Sequence, residues 1–166
     1  MIENTSFATK VLQFNDKLSL ESVDLPAEFK IINPFTGNQK EYVKKITTMF
    51  YQKYYDDTHP RRLILGSSPS RRGSSVTGIP FEDAEHLQKV TGIIIDNFYI
   101  NRSNSGFIYD VIEKYGNCTK FYYDFYMNFV CPLGIVRINK KGKEVNCNYY
   151  ENKKLQEALY AFIIDS

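Results

Sequence analysis

The stretch Arg61 to Phe81, RRLILGSSPSRRGSSVTGIPF, decides how the chain folds. Leu63, Ile64 and Leu65 form a short apolar run that stops at Gly66. A polar loop of Gly, Pro, Ser and Arg follows and ends in Gly78-Ile79-Pro80-Phe81. A short apolar run bounded by Gly and Pro suits a strand of a parallel sheet, buried on both faces, and such sheets place their binding sites at the carboxyl ends of their strands. The expectation is a buried strand delivering a functional loop.

A second strand candidate, Phe121 to Val130, is rich in aromatic residues and ends at Cys131-Pro132. Its loop lies beside the first one if the two strands are parallel neighbours. Between and around them run helical patterns. Val43, Ile46, Phe50 and Tyr54 predict an amphipathic helix over 41–57. Glu82, Asp83 and Glu85 before Leu87 and Val90 predict a short helix stopped by Gly92, and Ser103 or Ser105 opens another that Gly116 ends. Residues 93–100 read as a strand or an extended connection. A hairpin is expected from 135–139 and 143–147, then a final helix over 151–164. Pro and Gly interrupt residues 1–40, which read as an N-terminal arm with one short helix, leaving 41–166 as the α/β domain.

At 166 residues, 43% apolar and 24% charged, the composition is that of a soluble globular protein and excludes a disordered chain. No apolar run approaches the roughly 20 residues of a membrane helix, and Met1-Ile2-Glu3-Asn4 lacks the pattern of a signal peptide. Three cysteines without paired close spacing argue for neither a disulfide framework nor a zinc site, and fit a reducing cytoplasm. Thirteen tyrosines and twelve phenylalanines are expected mostly in the core. A net charge of +2 does not announce nucleic acid, but Arg61, Arg62, Arg71 and Arg72 cluster around the loop and would bias that face toward phosphate. The loop has no Gly-Lys-Ser/Thr ending and so is no P-loop. His59 and His86 are the only histidines and offer its serines no evident base.

Gly66-Ser67-Ser68-Pro69-Ser70 with Thr77-Gly78-Ile79-Pro80-Phe81 resembles the first motif of the uracil-DNA glycosylase superfamily, in its bacterial branch related to the single-strand-selective enzymes. Cys131-Pro132-Leu133, Asn33-Pro34-Phe35, the run Phe50 to Tyr55 and the run Asn128 to Gly134 extend the resemblance over most of the chain. It implies a three-layer α/β/α fold with a short parallel sheet, of which this chain carries the N-terminal part. A final helix ending in Phe162, Ile163 and Ile164 fits that expectation, because it should bury its apolar face against further structure. The implied function is hydrolysis of the N-glycosidic bond of uracil or a related damaged base in DNA, single-stranded or with the base flipped from a duplex. The alternative is a non-catalytic remnant that binds nucleic acid.

This chemistry needs an oriented water, stabilisation of charge on the departing base and a pocket for the flipped base, and it needs no metal or cofactor. The resemblance assigns the water to Ser68, which stands where the family motif carries Asn. It assigns the base to Gly66, Ser67, Pro69, Ser70 and, as stacking platform, Phe81. The family's base-recognition Asn falls at Phe129, and Asn128 is the adjacent candidate. The family's His-Pro motif has no counterpart in these residues, since His59-Pro60 precedes the first strand and reads as a loop.

Overall fold

The computed structural model describes residues 4–92 and 102–166. In chain order its elements are α1 (Phe7–Leu20), β1 (Phe29–Ile32), α2 (Lys40–Tyr55), β2 (Arg62–Gly66), α3 (Ser74–Thr77), α4 (Ala84–Thr91), α5 (Arg102–Tyr115), α6 (Cys118–Asp124), β3 (Phe125–Phe129), β4 (Gly134–Ile138), β5 (Glu144–Cys147) and α7 (Lys153–Asp165). The extended segment expected over 93–100 lies outside the described residues.

β2 and β3 pair in parallel, from Arg62 opposite Phe125 to Gly66 opposite Phe129. The alternating pleat sends Ile64, Met127 and Phe129 to one face and Leu63, Leu65, Tyr126 and Asn128 to the other. Aromatic side chains dominate the core here. Phe50, Tyr51 and Tyr55 of α2 pack with Phe121 and Tyr122 of α6, with Val11 of α1 and with Met127. Most rings meet edge-on or tilted, as Phe50 does on Tyr122 at 5.2 Å, while Phe7 stacks on Tyr55, which accounts for the abundance of Tyr and Phe. A second core lies between α7 and the antiparallel sheet β1-β4-β5, where Leu155, Leu159 and Phe162 cover Phe29, Ile135 and Cys147. The result is a mixed α/β fold with a small parallel sheet. No helix among the described residues is long and apolar enough to cross a membrane.

Three readings of the sequence are revised. Residues 121–130 are not one strand. Asn117 caps a helix by accepting from the Lys120 N–H at 2.8 Å, and the chain becomes extended only at Phe125. The N-terminal helix is longer than expected, fourteen residues, with Ser6 as its cap, and β1 behind it joins β4 in an antiparallel pair. β2 is not buried on both faces, because Leu63 and Leu65 are 57% and 52% exposed. Among the described residues β2 has a partner on one edge only, and α1 covers the Tyr126 side of this face without reaching over β2.

Candidate active site

Beyond the ends of β2 and β3 the two loops continue to zip together. The Val130 N–H donates to the Gly66 carbonyl and the Cys131 N–H to the Ser67 carbonyl, each at 2.9 Å. This brings Cys131-Pro132-Leu133 alongside Gly66 to Ser70, as expected for parallel neighbours. Ser67 Oγ and Ser68 Oγ both donate to Asn148 Oδ1, at 2.9 and 3.3 Å. Asn148 is itself fixed by Glu151, whose Oε1 accepts from its side-chain and backbone N–H groups at 2.9 Å. On β5 itself, Asn146 Oδ1 accepts from the Arg71 N–H at 2.9 Å. The loop is thus held by side chains from β5 and the turn after it, a long-range arrangement with no local signature.

After Ser70 the chain makes the single turn of α3, stopped by Gly78 in the left-handed region at φ 75°. Its serines face inward. Ser75 Oγ donates to the Pro69 carbonyl at 3.2 Å, and Ser74 Oγ accepts from the Phe81 N–H at 2.9 Å. Phe81 has φ 63°, and no other non-glycine residue among those described is in the left-handed region. An aromatic residue held there is strained, and such strain persists only where the surroundings over-determine it. The surroundings are the Ser74 bond and the ring of Phe129, stacked on Phe81 with centroids 4.9 Å apart.

These residues line an open cavity of about 490 Å³ at the carboxyl ends of the parallel strands. Gly66, Ser67, Ser68 and Ser70 line it on one side, Phe81 and Phe129 on another, with Glu82, Phe107 and Ile108 completing the wall. Gly66, Ser67, Ser68, Ser70 and Phe81 are therefore together in one place. Pro69 is buried behind the loop, away from the cavity wall. Asn128 is not brought to the cavity. It lies on the opposite face of the sheet, its Nδ2 donating to the Tyr126 hydroxyl at 3.0 Å and its Oδ1 accepting from the Phe129 N–H at 2.8 Å. The strand alternation puts Phe129, one residue on, at the cavity instead.

The four arginines separate. Arg61 is structural and not available to phosphate. Its guanidinium is fully shielded, bonded to both carboxylate oxygens of Asp57 at 2.5 and 2.9 Å, and stacked over Tyr55 at 4.7 Å. The hydrogen bonds from Arg61 hold the Asp57 carboxyl below the usual carboxylate range. Arg62 opens β2 at the end of the strand away from the loop. Only Arg71 and Arg72 are on the loop, Arg72 exposed and Arg71 half-buried.

Sequence reasoning missed Asn146, Asn148 and Glu82. Glu82 reads as a first-turn acid of α4, yet it is 1% exposed, with its carboxylate accepting from the hydroxyls of Tyr109, at 2.6 Å, and Tyr122. The cap of α4 is Asp83, whose side chain accepts from the His86 N–H at 2.9 Å.

No protein-family model matches the sequence, and no curated protein does. Among solved structures, wild-type SMUG2 of Pedobacter heparinus, a single-strand-selective monofunctional uracil-DNA glycosylase, superposes with a TM-score of 0.88. The match is 42% identical and covers 99% of this chain and 68% of that one. With that identity over that length, and with both motif loops meeting at the carboxyl ends of a parallel strand pair, the chain belongs to the uracil-DNA glycosylase superfamily, in the bacterial branch related to the single-strand-selective enzymes.

Proposed function

We propose that the protein excises uracil or a related damaged base from DNA by hydrolysing its N-glycosidic bond. The observation that carries this reading is the cavity of about 490 Å³, large enough for one extruded base, walled by the Gly66 to Ser70 loop and by Phe81. Phe81 serves as the face on which the flipped base stacks. Ser68 Oγ directs its proton to Asn148 Oδ1, so toward a water it acts only as an acceptor. An acceptor turns the water's lone pair outward, toward the sugar carbon under attack. Backbone N–H groups of the loop are the donors for charge on the departing base. Arg71 and Arg72 supply the attraction for phosphate.

Binding without excision is the second reading. It is favoured by Phe129 occupying the wall position where the family resemblance puts a base-recognising Asn. Incubation with a uracil-containing single-stranded oligonucleotide separates the two. Alkali-labile product supports hydrolysis, and a stable complex without product supports the remnant.

A further inference from the structure

Among the described residues, Glu82 is the one buried carboxyl of the cavity wall, and this chemistry leaves it unused. Its burial is not explained by α4, because Asp83 already caps that helix and an exposed acid would serve the helix dipole as well. Three parts of the chain converge on it. Tyr109 of α5 and Tyr122 of α6 donate to its two oxygens, and Thr77 Oγ1 donates to its carbonyl at 3.0 Å. Tyr109 is held in turn by stacking on His86, with ring centroids 3.7 Å apart. The residue immediately before this clamp is Phe81, the strained one.

We propose that Glu82 is the positioning residue of the Phe81 platform, and that the Tyr109–Glu82–Tyr122 clamp makes the platform respond to pH. Its consequence for DNA rests on the base-pocket reading above, while the clamp itself does not. Among the described residues, the titratable groups around Glu82 are Asp83, Tyr51, Tyr54 and Tyr55 of α2, Tyr109 of α5 with His86 of α4 stacked on it, and Cys118 and Tyr122 of α6. None of these carries a permanent positive charge. Burial pushes the carboxyl up to about 7, against the two phenol hydrogen bonds that favour the carboxylate. Protonation puts an O–H donor on one of the two oxygens and makes it a weaker acceptor, so the phenol bonded there is loosened, and the backbone that keeps Phe81 against Phe129 is held less firmly.

The test uses the full chain with ring-labelled phenylalanine, followed by NMR. Phe81 signals, identified by their loss in Phe81→Leu, are expected to shift as pH rises through about 7. Glu82→Gln should abolish the shift. Tyr109→Phe should raise its midpoint by removing one bond to the carboxylate, and it also serves if Glu82→Gln does not fold. Phe81 signals that stay still through this range overturn the proposal, whatever the protein does to DNA. A second measurement compares affinity for a single-stranded oligonucleotide whose uracil nucleoside carries a 2′-fluoro group that blocks hydrolysis with affinity for the same strand carrying a stable abasic analogue. Glu82→Gln is expected to lower that ratio about 10-fold, within the range of a base–aromatic stack, and to leave affinity for the abasic strand unchanged. A ratio lowered by Phe81→Ala but not by Glu82→Gln overturns the positioning role. A ratio that Phe81→Ala leaves alone overturns the base-pocket reading, and the NMR titration then decides the clamp by itself.

Discussion

Gly66 has no side chain because the stacked rings leave no room for one. A Cβ there would lie 2.8 Å from Phe81 and 2.9 Å from Phe129, too close for either ring to stay in place. Ser68 has room, since it lines the open cavity. Replacing it with the family residue, Ser68→Asn, keeps the path of the loop and adds an amide that can both donate to and accept from the water. The excision rate is expected to rise about 10- to 150-fold, the value of one well-placed hydrogen bond of roughly 1.5–3 kcal/mol, measured in single turnover. An unchanged or lower rate would show that Ser68 does not face the reacting water. Glu82 makes a different prediction. Its carboxyl is raised from 4.5 to about 7, so between those values the folded protein holds a proton that the unfolded chain has released. Stability therefore falls as pH rises through that window and levels off above it, by up to about 3 kcal/mol for a shift of this size. Glu82→Gln should flatten the profile of Tm against pH, and an unaltered slope would place the titration elsewhere. That Gly66, Ser68 and Phe81 meet at one cavity is legible in the sequence because a motif is a local pattern. Arg61 and Glu82 are not, because what decides their roles is which way a side chain turns and what meets it, Asp57 in one case and two tyrosines from later helices in the other.

At the scale of elements, the strand at 62–66, the hairpin and the helices α2, α4, α5 and α7 follow from periodicity and end signals that the structure keeps: Asp83 and Gly92 at the ends of α4, and Gly116 after α5 at φ 147°. The boundary within 118–129 does not follow. Phe and Tyr favour strands by propensity, while burial of the consecutive residues Phe121 and Tyr122 in the same core requires a helix. Only the capping Asn117 signals this in the sequence. The two faces of the parallel pair also differ in a way that apolar content hides. Met127→Ala removes a side chain that is 4% exposed and should cost about 2–5 kcal/mol, whereas Leu65→Ser acts on a residue 52% exposed and should stay within about 0.5 kcal/mol. Denaturant unfolding of both variants checks the contrast. A comparable loss in Leu65→Ser would mean that this face is covered in solution.

For the molecule as a whole, the parallel pair presents its loops, its cavity and the two loop arginines at one end, while Arg62 lies at the other and Arg61 is locked in the core. Neutralising Arg71 and Arg72 together is expected to weaken binding to single-stranded DNA and to make the salt dependence shallower, by about 0.7 in slope for each phosphate that is no longer paired. The same change at Arg62 should leave the slope alone. An unchanged slope in the Arg71, Arg72 double variant would place the DNA track elsewhere on the surface. The central claim is that the cavity beside Phe81 is where a base is removed. Its most direct test is single-turnover release of uracil from a single-stranded oligonucleotide by the protein and by Phe81→Ala. The predicted result is excision by the protein and a loss of about 5- to 150-fold in the variant, the equivalent of one base stack of roughly 1–3 kcal/mol. Excision that proceeds equally well without the Phe81 ring would contradict the account.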